Sequence, residues 1–178
     1  MKRRIERKAS DLLKKYGYYD SIPIDVFGLA QDVGLKLVDH KLSDEISGML
    51  IWDNGVGSIG YNSTHAQVRQ RFTIAHEIGH FVLGHIEDRS VFIDQPNKQM
   101  STKIFRNQDS AKGEKREEIE ANSFAAALLM PKVHIKDRCN NYAIDDIAGN
   151  DIELLAKDFQ VSTQSMIFRL INLGIIRA

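Results

Sequence analysis

Arg71-Phe72-Thr73-Ile74-Ala75-His76-Glu77-Ile78-Gly79-His80-Phe81-Val82-Leu83-Gly84 is the stretch on which the reading of this chain turns. No proline interrupts it from His65 to Leu83, and Gly84 is the residue type that closes helices in a left-handed turn. Phe72, Ile74, Ala75, Ile78, Phe81, Val82 and Leu83 wrap most of a helix circumference, which predicts a buried helix. His76 and His80 stand four residues apart, about 40° around the axis, so both imidazoles leave one face. Two nitrogen donors placed in that way can take adjacent corners of a tetrahedral zinc. Glu77, rotated by about 100°, can lie beside a metal without binding it and take a proton from water there. The metal-free alternative is a pair of core histidines bonded to backbone carbonyls. It leaves two imidazoles and a carboxylate in an apolar helix, at a desolvation cost that a metal offsets. Gly79 leaves room for another backbone to approach the pair.

The flanks support the helix. Asn62-Ser63-Thr64 offers N-cap oxygens, and Thr64 with Gln67 fits a capping box. A hydrolytic zinc takes three protein ligands and keeps one position open for water. His85 is one candidate for the third, but the pattern H-E-x-x-H-x-x-G-x-x-H needs glycine and histidine where this chain has Leu83 and Ile86. Out of that register, His85 reads as a cap on the helix C-terminus.

A second helix, predicted from Glu117 to the stop at Pro131, offers a better candidate. Glu118, Ala121, Asn122, Ala125, Leu128 and Leu129 form one stripe at helical spacing, mostly small or apolar, and the stripe should face the core. Glu118 is then an acid on a buried face with Asn122 one turn on. Glu120 is rotated by about 200° from it and should face away. Three of Glu114, Glu117, Glu118 and Glu120 read as a solvated acidic first turn that suits the helix dipole.

His76-Glu77-Ile78-Gly79-His80, followed by Glu118-Ile119-Glu120-Ala121-Asn122-Ser123-Phe124-Ala125-Ala126 and Leu128-Leu129-Met130-Pro131, resembles the ImmA/IrrE family of zinc metallopeptidases. Upstream, Ile22-Pro23-Ile24-Asp25, Ile46-Ser47-Gly48-Met49 and Arg71-Phe72-Thr73-Ile74-Ala75 extend the similarity, which covers roughly residues 5 to 131 well and the remainder more loosely. Two separated motifs in the right order are far more specific than H-E-x-x-H alone. The resemblance implies a gluzincin-like site with His76 and His80 as ligands, Glu118 as the third, Asn122 behind a ligating histidine, and Glu77 as the base. It also implies a protein substrate, since family members from phages, integrative elements and stress loci cleave or inactivate helix-turn-helix repressors.

The rest of the chain sets bounds. At 178 residues it is long enough for a real core, and 24 acidic residues balance 24 basic ones, so no global field draws it to nucleic acid or an anionic membrane. Met1-Lys2-Arg3-Arg4 is basic but lacks the apolar run of a signal peptide. Ile5, Ala9, Leu12, Leu13 and Tyr16 instead mark an amphipathic helix. No segment reaches the roughly twenty apolar residues of a membrane span. The single cysteine, Cys139, excludes an intrachain disulfide and, with the rest, suggests a cytoplasmic protein.

The expected fold is α+β: a zincin-like core over residues 1–131 with a small antiparallel sheet beside the H-E-x-x-H helix, and a helical appendage over 132–178. Pro23 should open a helix from Ile24 to Val33, closed by Gly34, and Leu35–Val38 should form a strand. Asn54-Gly55 between Ile46–Asp53 and Val56–Tyr61 is a hairpin signal, and an edge strand beside the metal helix could take substrate backbone by strand addition. Glu87–Gly113 is polar, with Phe92, Ile93 and Phe105 scattered in it, and reads as a lid or substrate-contacting loop. In the appendage, Asn150 with Glu153 begins one helix and Ser162 another that ends at Gly174, a pair resembling a helix-turn-helix. A DNA-reading helix needs several basic or amide side chains at its start. This one has Thr163, Gln164 and Ser165, with Arg169 the only base before Arg177, so packing or partner docking is favoured over DNA binding.

Two functions stay open. One is a zinc endopeptidase acting on a cytoplasmic partner, such as a helix-turn-helix repressor of a mobile element or stress regulon, with another divalent metal possible in place of zinc. The other is a regulatory binding module whose metal site is structural and which contacts a repressor or DNA without cleavage. Glu77 favours the enzyme, since a structural site needs no base there. Tyr61, His134 and Tyr142 are the available candidates for stabilising an oxyanion, and each also has an ordinary structural reading.

Overall fold

The computed structural model describes residues 2–53, 55–85, 91–94, 110–139 and 150–177. The long helix of the opening motif, α3 in chain order, spans Gln67–Leu83, with α1 at Lys2–Lys15 and α2 at Val26–Asp32 before it. Between α2 and α3 run β1 (Leu35–His40), β2 (Gly48–Asp53) and β3 (Val56–Asn62). After α3 come β4 (Val91–Asp94), α4 (Ser110–Leu129), α5 (Lys132–Cys139), α6 (Asn150–Asp158) and α7 (Thr163–Leu173).

The class is α+β, and the four-stranded sheet has the order β1-β3-β2-β4. β2 and β3 form the expected antiparallel hairpin, with Asp53 opposite Val56 and Gly55 at φ +80° in the turn. The sheet as a whole is mixed, because β1 pairs with β3 in parallel from Leu35↔Gly57 to His40↔Asn62. Such a pairing needs a crossover, and the excursion through β2 supplies one. β4 pairs antiparallel to β2, so the stretch expected as loop from Glu87 holds a strand, and its other end, from Ser110, is already helix α4. Phe105 and Tyr142 lie outside the described residues.

Local chemistry accounts for the helix ends, and two differ from expectation. α2 begins after Pro23, because the Asp25 side chain caps it by accepting from the Gly28 N–H at 3.1 Å, a contact worth about 1 kcal/mol. α3 begins at Gln67 with no side-chain cap, since Asn62 is engaged elsewhere. Asn62 is buried and donates to the carbonyls of Leu42, Ser43 and Ile46, each at 3.1 Å, while its Oδ1 accepts from Thr64 Oγ1 at 2.7 Å. Asn62 thus clamps the loop that leads into β2. At the other end, Gly84 closes α3 at φ +79°.

One hydrophobic cluster runs through the molecule, joining Ile5, Ala9 and Leu13 of α1, Leu50 and Ile59 of the sheet, and Ile74 and Ile78 of α3. The same cluster includes Phe124 and Leu128 of α4 and Phe159, Met166 and Leu170 of the C-terminal helices. Two buried arginines tie those helices in. Arg71 Nη2 donates to the Ile24 carbonyl at 2.8 Å and its Nε to the Gln160 carbonyl at 3.2 Å. Arg169 Nε donates to the Met130 carbonyl at 2.9 Å, and its two terminal nitrogens grip the Glu6 carboxylate. Among the described residues no helix is long and apolar enough to cross a membrane.

α3 and α4 cross at Gly79, as its missing side chain suggested. A Cβ there would lie 3.2 Å from both Cα and the carbonyl oxygen of Ala121, and 3.2 Å from Phe124 Cδ1. Backbone in a packed helix yields little, so Gly79→Val should lower unfolding stability by about 1–3 kcal/mol, measured by urea titration. The same variant should retain less metal after purification, because Glu118 is carried by the helix that must move.

Candidate metal centre

α3 places His76 and His80 one turn apart, both buried, and α4 delivers Glu118 against them. His76 Nε2 and His80 Nε2 lie 3.0 Å apart, and the two Glu118 oxygens lie 3.2 Å from the first and 3.3 Å from the second. Bonds of about 2.0–2.1 Å at tetrahedral angles separate neighbouring donors by roughly 3.3 Å, so each of these separations suits a pair of neighbouring zinc ligands. The donor set of two imidazoles and one carboxylate also suits zinc. Burial works against ionisation of Glu118, but the closeness of His76 and His80 outweighs it and holds the carboxyl below its ordinary range.

The outer faces of both rings are occupied. His76 Nδ1 lies 3.1 Å from Asn122 Oδ1, an atom that only accepts, so His76 donates through Nδ1 and keeps its Nε2 lone pair for the centre. His80 Nδ1 lies 3.2 Å from Nδ1 of His85. Glu77 is 1% exposed, and its Oε1 lies 3.8 Å from where a Cβ on Gly48 would stand, so its carboxylate faces the start of β2.

The sequence profile described as the IrrE N-terminal-like domain, peptidase family M78, matches residues 30–170. The chain belongs to this metallopeptidase family. It is also 28% identical over 145 residues to an uncharacterized immunity region protein 2 of Bacillus phage phi105, an alignment covering 81% of this chain and 80% of that one.

In this M78 chain, two residues sit where sequence reasoning did not put them. Glu120 does not face away into solvent. It is 4% exposed and meets Arg4, Arg116 and His85. Burial alone would raise its pKa, but hydrogen bonds from Arg116 and His85 win and lower it. His85 does not serve as an exposed cationic cap. It is buried beside His80 and Glu120, and burial together with the charge of His80 pushes its pKa down to about 4, against the opposing pull of Glu120. The H-x-x-x-x-H spacing after Gly84 was the available signal, since a left-handed turn folds the fifth residue back onto the helix end. Indeed the His85 N–H donates to the His80 carbonyl at 3.0 Å. The Glu118 stripe is also less buried than expected, for Asn122 is exposed and Glu118 half-buried, which opens the site on that side.

Two of the oxyanion candidates have structural contacts of their own. His134 Nε2 is 2.6 Å from the Tyr19 carbonyl with its ring against Tyr19, and Tyr61 packs edge-on against Phe27. Burial raises the Cys139 thiol pKa, which disfavours a nucleophilic role.

Replacing Glu118 tests the donor set directly. Glu118→Gln keeps the shape and removes the charge, and should weaken zinc binding more than the roughly 10–100-fold expected of an outer hydrogen-bond partner. Competition against a chromophoric chelator measures it, and unaltered affinity would mean that another group completes the site.

Proposed function

We propose that this chain is a zinc-dependent endopeptidase that cuts a partner protein, namely a helix-turn-helix repressor encoded near it. The observation that carries the reading is the convergence of His76, His80 and Glu118 on one point, with Glu77 buried on the next position of the same helix. A divalent metal held by those three residues supplies Lewis acidity toward a peptide carbonyl.

The protein's own residues do the rest. Glu77 takes a proton from the attacking water and delivers it to the leaving amine nitrogen, a shuttle that a buried carboxylate beside the donor triangle can perform. Asn122 holds the His76 ring, so that donor needs no reorientation when substrate arrives. The start of β2 lines the Glu77 side, and among the described residues β4 is the open edge beyond β2 where an extended substrate can add as a strand.

The substrate assignment draws on three observations. The similar phage protein is named for an immunity region. A groove of about 370 Å³ starts at Asn122 and is flanked by exposed Ile119 and by Phe168 of α7, which is 57% exposed, so a folded partner has an apolar surface to meet beside the centre. Arg169, the one base that a DNA-reading α7 would offer before Arg177, is buried against Glu6 and Met130, which favours a protein partner over DNA.

Remote contacts of this kind position one bond at the centre, and short peptides lacking them should lose turnover as well as affinity. Zinc-loaded protein incubated with the neighbouring repressor should cut it at one or few sites while leaving casein intact. Glu77→Gln should keep its zinc and its fold yet cleave slower by about 10²–10⁴-fold or more. Digestion of casein with the repressor left whole would refute the substrate assignment, and near-normal cleavage by Glu77→Gln would refute the role of the base.

A further inference from the structure

We propose that His85 and Glu120 form a positioning relay that fixes the tautomer and ring orientation of His80, turning its Nε2 lone pair toward His76 and Glu118. The inference rests on the reading of those three residues as a metal site and adds two residues that the catalytic scheme does not use.

Glu120 Oε1 accepts from Arg116 Nε at 3.2 Å and Oε2 from Arg4 Nη2 at 3.4 Å, so two guanidinium groups hold it as an anion that can only accept. His85 Nε2 lies 3.5 Å from Oε2 and stands on the donating side. A neutral imidazole that donates through Nε2 presents a lone pair at Nδ1. That Nδ1 lies 3.2 Å from Nδ1 of His80, which must therefore be the donor. With its proton on Nδ1, His80 has its lone pair on Nε2, the atom 3.3 Å from Glu118 and 3.0 Å from His76 Nε2. With Glu120 gripped by Arg4 and Arg116, each link has one direction.

The backbone is built to the same end. Gly84 at φ +79° reverses the chain, and the His85 N–H closes on the His80 carbonyl at 3.0 Å, so one residue holds His80 through both backbone and ring. His76 reaches the same tautomer by a shorter route, through Asn122. The two ligating rings thus have different supports: an amide from α4 on one side, and an imidazole–carboxylate pair anchored by α1 and α4 on the other. Hydrogen bonds of this kind behind a ligating histidine typically change metal affinity by about 10–100-fold.

The test compares the full-length wild type with His85→Phe, which keeps ring volume and removes the acceptor, and Glu120→Gln, which keeps shape and removes the anion. Zinc affinity is read by chelator competition, thermal midpoints are read with and without zinc, and the His80 tautomer is read from long-range ¹H–¹⁵N spectra of the zinc-loaded protein. The expected result is a fall in zinc affinity of about 10–100-fold for His85→Phe and about tenfold for Glu120→Gln. With it come a smaller zinc-induced rise in midpoint and loss of the protected His80 Nδ1 proton. Should His85→Phe fail to fold, Glu120→Gln carries the test alone. Wild-type zinc affinity in the folded variants, or midpoints that drop equally with and without zinc, would overturn the relay and leave the metal site standing. A wild-type protein that binds no zinc would overturn both.

Discussion

The structure depends on how closely two helices can cross. α3 carries both histidines and α4 carries the carboxylate, and neither helix holds a complete donor set. The two histidine nitrogens lie 3.0 Å apart, each 3.2 to 3.3 Å from one of the Glu118 oxygens, and the helices that carry them meet at Gly79, where a Cβ would stand 3.2 Å from the Ala121 backbone. Ala121 and Ala125 belong to the small-residue face of α4, and both are fully buried. A metal held across that contact would link α3 to α4 as a noncovalent staple, and its binding free energy would become part of the folding free energy.

The C-terminal helices serve that crossing from behind. Met130, whose carbonyl accepts from Arg169, follows the last turn of α4, and Arg169 also grips Glu6 of α1. Arg71 plays the same part on α3, spanning from Ile24 to Gln160. Burial lowers the pKa of Arg71, opposed by the charge of Asp25, yet a guanidinium remains ionised with a wide margin. Each of these arginines bonds to backbone carbonyls, which is how a buried cation is tolerated. Arg71 and Arg169 are therefore turned inward to hold helices, and beside them Phe168 of α7 and Ile119 of α4 leave apolar surface exposed.

Much of this was legible in the residues. The period of α3, its stop at Gly84, the hairpin around Gly55 and the start of α7 at Ser162 are governed by local rules, and the structure agrees at each. The i, i+4 pair of histidines and the acid on the small-residue stripe of α4 were visible for the same reason, since helical spacing is fixed at 3.6 residues per turn. The parallel pairing of β1 was not visible, because sheet order is set by which strands pack on the core and not by the alternation within any one strand. Nor was the beginning of α3 at Gln67. Asn62 and Thr64 have the chemistry of caps, and only the folded chain shows that the Asn62 oxygen is taken by the Leu42 N–H, the Thr64 N–H and the Thr64 hydroxyl, which also occupies Thr64.

His85 and Glu120 mark the limit of such reading. A helical wheel treats Glu120 as a solvated acid because it is on the far side of α4 from Glu118, and that holds only if nothing packs there. α1 and the turn after α3 do pack there, and they bring Arg4 and His85 to a carboxylate that would otherwise be exposed. A charge reads as surface from its own helix and as interior from the tertiary arrangement, and the deciding quantity is whether partners are supplied at the same place. Here three are, from α1, from α4 itself and from the residue after Gly84. Burying Glu120 without them would favour its neutral form, which could donate a proton and would make the orientation of His85 ambiguous. The two arginines thus remove the ambiguity at the outer end, and that is what allows a direction to be assigned at the inner end, on the nitrogen of His80 that faces the centre.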